Sequence, residues 1–252
     1  MQPTIEQITL RPDTWRGFSS PASTKPDHYF TTTTTIAPAN SDWHGVDAMP
    51  TGHTALDQAL QLGGWPLHGG CEVLCDCRGM GDMGLFLPTM RNLSEQGRWQ
   101  ALIDPPHIPY APQLAAEGID TQQILMIHTR SREERLWATE QALRSTTCSV
   151  VFSWLGSDDY RYAELRKLQL AAVENDTLAI FFRATDASEQ HSPMSLRIQL
   201  SRYHDVLIRK QRHGRPDIQV TLDSHEVAPH ARTWQEVMNQ SQTSTPYDQR
   251  AS

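Results

Sequence analysis

This 252-residue chain has no run of about 18 or more apolar residues, so no segment is expected to span a bilayer as a helix. Cysteine is scarce: four residues with no disulfide-type spacing. Met1 to Leu10 has no basic residue and no apolar h-region, so no secretory signal is expected there. A reducing, cytoplasmic compartment is the default that follows. Positive charge is also in deficit, with 22 Lys+Arg against 29 Asp+Glu and a net charge of −7. That excludes a generally basic nucleic-acid coat but leaves room for a local basic patch. Lysine is absent altogether between Lys25 and Lys167. Only 38% of residues are hydrophobic, which predicts a core unevenly distributed along the chain.

The distribution can be read directly. Residues 1–48 hold five prolines, the run Thr31 to Thr35 and few aliphatic side chains, too little apolar surface to offset the entropy of ordering. Residues 224–252 are polar again, with Trp234, Val237 and Met238 as a candidate apolar helical turn. Both ends are expected to be disordered tails around a domain at 49–223.

Inside that domain apolar runs alternate with helical stretches. Strands are predicted at Glu72 to Cys77, Gln100 to Asp104, Ile124 to His128, Cys148 to Leu155 and Leu178 to Phe182. Helices are predicted at Thr54 to Gln61, Gly84 to Gln96, Leu114 to Glu117, Leu136 to Arg144 and Tyr160 to Glu174. Ser131 to Glu134 has the S-x-x-E spacing of a capping box. After Pro193, alternation around Leu196 to Leu200 and Val206 to Ile208 predicts antiparallel edge hairpins with one solvated face. The sum is a three-layer α/β domain with a mainly parallel central sheet and terminal antiparallel hairpin strands.

In such a fold the loop after an early strand is where phosphates are held. Here it carries Gly79, Gly81 and Gly84, but the stretch that should read G-K-[ST] is Gly81-Asp82-Met83. A carboxylate stands where the ammonium belongs and a thioether where the Mg²⁺-binding hydroxyl belongs, so ATP hydrolysis is rejected and no cofactor is expected. Cys71, Cys75, Cys77 and Cys148 match no common zinc spacing, and no metal site is expected. His107 and His128 fall near strand ends where a base could sit, yet no nucleophile elbow accompanies them. Asp158 and Asp159 precede a helix and read as capping residues. Trp99, Trp137 and Trp154 read as core. The basic cluster Arg209, Lys210, Arg212 and Arg215 could meet phosphates or an acidic partner, or could be a charged edge that blocks strand-to-strand pairing. Tyr110 and Arg98 are candidate contact residues beside the proline-rich loop after Asp104.

Several strings carry a family resemblance. GGWPLHGGCEVL (Gly63 to Leu74) resembles the approach to the ATP-binding core of RecA. The strings at Gly97 to Asp120, Glu134 to Trp154, Leu165 to Ala172 and Phe181 to Leu200 resemble the ImuA and SulA family of RecA-like SOS-response proteins. The resemblance spans about Thr51 to Asp223 and implies a RecA-like domain with a degenerate P-loop and no enzymatic activity. An ImuA-like role, the first reading, implies an adaptor in error-prone translesion synthesis. Its partners would be RecA, an ImuB-like protein and an error-prone polymerase, with single-stranded DNA met by the 209–215 segment. The alternative is a SulA-like division inhibitor that binds FtsZ; Arg98-Trp99 matches its RW segment, whereas Gln113 and Gln123 stand where that family has tryptophan and lysine. An active RecA-type ATPase is third, disfavoured by Asp82.

Overall fold

The computed structural model describes residues 14–16, 47–76, 81–202 and 205–222. Most of the expected N-terminal tail, all of residues 224–252 with the candidate turn at Trp234, Val237 and Met238, and Cys77 and Gly79 lie outside the described residues. Inside the expected N-terminal tail, Thr14–Arg16 forms strand β1.

The apolar runs become strands. They are β2 (Ala48–Met49), β3 (Trp65–Pro66), β4 (Cys71–Leu74), β5 (Trp99–Ile103), β6 (Ile124–Ile127), β7 (Cys148–Gly156) and β8 (Leu178–Arg183). After them come β9 (Leu196–Arg202), β10 (Asp205–Gln211) and β11 (Ile218–Thr221). Nine of these build one sheet in the order β1-β6-β5-β7-β8-β4-β9-β10-β11. From β6 to β9 neighbouring strands run parallel, while β1 and the β9–β10–β11 meander pair antiparallel. β2 and β3 form a separate two-stranded ribbon.

Helices cover both faces, which is why the central strands are apolar on both sides rather than alternating. On one face α1 (Thr54–Ala59), α2 (Gly81–Gly84), α3 (Leu87–Glu95) and α4 (Ala111–Ala116) pack Leu56, Met83, Met90 and Leu114 against Val73, Phe152 and Ile198. On the other, α5 (Arg132–Arg144) and α6 (Tyr162–Glu174) press Ala142, Leu143, Leu165 and Leu168 onto Ala101, Val151 and Phe181. The predicted helix from Gly84 is split: α2 ends, and α3 restarts with Pro88 in its first turn, where the missing N–H costs no hydrogen bond. Gly118, at φ 79°, follows α4 as the expected stop.

Local signals set the α5 boundary. The Ser131 hydroxyl accepts from the Glu134 N–H at 3.1 Å, and the Glu134 carboxylate accepts from the Arg130 N–H at 2.9 Å. This is the predicted capping box with its return bond displaced by one residue. Asp158 and Asp159 do not cap α6, whose N-cap is Arg161; the Asp158 side chain is drawn to Arg135 instead. Trp137 is 40% exposed on the outer side of α5 rather than in the core. Trp99 and Trp154 are partly buried and pack against the two cores.

The terminal strands form the expected antiparallel meander at one margin of the sheet. β10 is not the edge: β11 pairs with Asp205 to Ile208, and β9 pairs along almost all of β10. The segment beginning at Arg209 projects past the end of β11, so the basic cluster sits on a strand end, paired with β9 on one side only, and on the turn that follows.

Candidate functional site

Four adjacent parallel strands, β5, β7, β8 and β4, end side by side, and the chain leaves each of them in a loop. In open α/β sheets this C-terminal edge is where ligands bind. Here the loops enclose a cleft of about 530 Å³ lined by Asp76, Asp104, Trp154, Asp158, Asp186 and, from α5 and β8, Arg135 and Arg183 among others.

Arg135 organises the cleft wall. Its Nε donates to Asp104 at 2.7 Å, while Nη1 reaches Asp158 at 2.7 Å and the Tyr160 hydroxyl at 3.1 Å. Burial disfavours this cation, but Asp104 and Tyr160 outweigh it and hold the guanidinium above its ordinary pKa. Asp104 itself sits at φ 52°, a left-handed backbone for a non-glycine residue, and accepts from both the N–H and the hydroxyl of Thr129. Asp76 accepts from the Thr185 N–H at 2.9 Å, a bond that ties the β4 loop to the β8 loop; the Thr185 side chain first, and this N–H second, hold the carboxyl below its usual range. Trp154 stacks on Phe182 with ring centroids 4.5 Å apart.

Behind the cleft lies a buried ion triad that sequence reasoning missed. Glu72 accepts from Arg183 at 2.9 Å and from Arg197 at 2.7 Å, and all three side chains are at most 8% exposed. Register explains the meeting: Glu72 pairs with Arg197 across β4–β9, and Arg183 ends β8 on the other side. Burial alone would raise the Glu72 carboxyl; hydrogen bonds and charge from Arg197, with Ser192 and Arg183, bring it below its ordinary value. The signal was present in sequence as a charge inside each of three apolar strands, since buried charges must be paired.

The candidate residues from sequence do not converge. Gly81 opens α2, and Met83 is 2% exposed within the core, so its thioether packs rather than reaching a ligand. The Asp82 side chain lies outside the described residues. Tyr110 precedes α4 and is 58% exposed, near the C-terminal edge. Arg98 directly precedes β5 and therefore lies at the opposite, N-terminal edge, about 16 Å away along a five-residue strand. The two were expected together, and the strand direction separates them. In the basic cluster, Lys210 donates to the Ser192 carbonyl at 2.8 Å and Arg209 lies 3.9 Å from Glu189, whereas Arg212 and Arg215 are exposed. Burial, then Arg197, lowers the Lys210 pKa. His107 and His128 are exposed and do not line the cleft. Cys71 and Cys148 are buried free thiols, with Cys148 pushed up to about 12 by burial, so neither is a ready nucleophile. Among the described residues no group of three His, Cys, Asp or Glu side chains could hold a metal.

The structure thus defines a mixed α/β domain with a mostly parallel central sheet and antiparallel strands at its margins. Residues 75–179 match the family described as cell division inhibitor SulA. The cell division inhibitor SulA of Edwardsiella piscicida is 39% identical over 71 residues, 28% of this chain and 42% of that protein. That of Escherichia coli O1:K1 / APEC is 29% identical over 122 residues, 48% of this chain and 72% of the relative. A crystal structure of SulA from Pseudomonas aeruginosa is 26% identical and covers 45% of this chain and 97% of its own, with a TM-score of 0.37. The family-model match and the sequence relatives support the SulA family and favour the SulA-like reading; the ImuA-like one gains no support from them. No helix among the described residues is long and apolar enough to cross a membrane.

Proposed function

We propose that this protein is a non-catalytic inhibitor of cell division that acts by binding FtsZ. The observation that carries the reading is the SulA match over residues 75–179, which runs from the glycine loop through β8's first residues. Two features of the chain agree with a binding role rather than catalysis. The lysine of a phosphate loop is missing, and Met83, at the position of its hydroxyl, is a core residue. We take the sheet to be a RecA-type core that has lost nucleotide chemistry and kept its surfaces.

The contact face we assign is the N-terminal edge at β5. Arg98 stands there, and Gly97 lies beside Gln123, whose amide nitrogen would be 3.8 Å from a Cβ at position 97. Gln113 is exposed on α4. Arg98 is half-buried at this edge, and a planar guanidinium, with five donors in a fixed fork, can meet a partner's carboxylate as well as a contact within the chain.

Overproduction in dividing rod-shaped cells tests the reading. Filaments should form without DNA damage, and purified protein should lower FtsZ polymerisation. If division proceeds normally and damage-induced mutagenesis instead rises with an ImuB-like partner, the ImuA-like adaptor replaces it.

A further inference from the structure

The cleft at the C-terminal edge is independent of the surface just assigned, and it is built for a ligand of definite charge. Its volume of about 530 Å³ falls in the range of specific binding pockets. Four carboxylates and two guanidinia line it, and both guanidinia are committed to the protein. Arg135 is held by Asp104 and Asp158. Arg183 gives Nη1 to Glu72 and Nη2 to Gln190 at 2.6 Å. An incoming phosphate would therefore meet the carboxylates of Asp76, Asp158 and Asp186, while the Arg183 guanidinium already gives Nη1 and Nη2 to the protein and is 1% exposed. A cation would meet the same carboxylates with Trp154 beside them.

Two further observations narrow the ligand. The Arg183 side chain is 1% exposed, yet its Nε–H is buried without an acceptor. A buried donor left unpaired is costly, so a ligand that brings a carbonyl oxygen is favoured. Next to the cleft, the loop that contributes Pro106 presents Ile108 and Tyr110 at 70% and 58% exposure. Proline at 105, 106 and 109 stiffens this loop, so the apolar pair is displayed rather than collapsed.

We propose that the cleft docks an extended segment of a partner protein and receives from it an arginine side chain. The guanidinium lies against Trp154 and is met by Asp158 and Asp186, a backbone carbonyl of the segment faces Arg183, and flanking apolar residues rest on Ile108 and Tyr110.

The probes are two blocked tripeptides, acetyl-Leu-Arg-Leu-amide and the same peptide with citrulline for arginine, which keeps the shape and removes the charge. The arginine peptide should give a saturable change in tryptophan emission that Trp154→Phe abolishes. The citrulline peptide should bind about tenfold more weakly, the loss expected for about 1.4 kcal/mol. Asp158→Asn with Asp186→Asn should cause a similar loss, with the fold checked by circular dichroism. Asp186→Asn alone, at an exposed position, should weaken binding about threefold and guards against misfolding of the double variant. Equal binding of both peptides, or no saturable signal with arginine, overturns the proposal. Filamentation by the Asp186→Asn variant should remain, which separates failure here from failure of the division reading.

Discussion

Arg135 in the first turn of α5 grips Asp104 at the end of β5 through a 2.7 Å bond, and so fastens the second helical layer to the sheet's C-terminal edge. The same guanidinium reaches Asp158 beyond β7, so one side chain ties together three segments that are distant in sequence.

Replacing Arg135 with alanine should lower stability by about 2 kcal/mol, because Asp104 is 13% exposed and would keep only its Thr129 donors. Arg135→Lys should recover less than half, since an ammonium on a flexible stem lacks the planar fork that spans two carboxylates. Urea midpoints of the three proteins decide it. Equal midpoints for wild type and Arg135→Ala would mean the tie is a solvated contact.

Glu72→Gln should be more damaging, about 3 kcal/mol, because it leaves Arg183 and Arg197 buried without their counter-charge. Replacing all three, with leucine at 72 and methionine at 183 and 197, should restore most of that loss. The pH dependence has a defined sign. The folded carboxyl lies below its unfolded value, near 4.3, so its contribution is complete above that value and disappears as pH falls through the folded pKa. Denaturation midpoints of wild type should therefore decline below about pH 4.5, and those of Glu72→Gln should decline less steeply.

These two networks show what the sequence could and could not disclose. The alternation from Ile124 to Arg183 was readable because each strand and helix carries its own period: Leu165, Leu168 and Ala172 predict a buried face, and that face is buried. Asp104, Arg135 and Asp158 belong to no motif. Their contacts span 31 and 23 residues and exist only because β5 and β7 are neighbours. The triad spans 111 and 125 residues and depends on β4 inserting between β8 and β9, an order that local pattern does not encode. Trp137 was misplaced for a related reason. A large apolar residue in a helix suggests a core face, but α5 buries Ala138, Thr139, Ala142 and Leu143 and turns Trp137 outward. Arg98 and Tyr110 were grouped by proximity in sequence, which the direction of β5 undoes.

For division arrest, Arg98→Ala should abolish filamentation while lowering the unfolding free energy in urea by no more than about 1 kcal/mol, as for a half-buried side chain at the start of a strand. Alanine at Arg209, Lys210, Arg212 and Arg215 together should leave filamentation intact, because that cluster belongs to β10 and its turn, far along the sheet order from β5. Microscopy of cells expressing equal amounts of each variant is the measurement. The reverse pattern would move the contact face to the basic strand end, and a flattened salt dependence of DNA binding there would speak for the adaptor reading.

Gly64→Ala should unseat the β2–β3 ribbon. A Cβ at position 64 would stand 2.1 Å from the Met49 carbonyl oxygen and 2.5 Å from its carbon, both backbone atoms that cannot rotate away. Met49 pairs with Trp65, and Trp65 is fully buried, donates to Thr89 at 2.9 Å and packs 4.8 Å from the Phe86 ring. Separating the two strands therefore lifts the indole from the core as well as breaking the ribbon, with an expected loss of about 3 kcal/mol. Gly63→Ala is the control: position 63 has φ +71° but open space around it, so only the left-handed backbone is penalised, by about 1 kcal/mol. Near-ultraviolet circular dichroism and the urea midpoint of both variants should rank Gly64→Ala well below Gly63→Ala. Equal losses would show that the ribbon yields without disturbing Trp65.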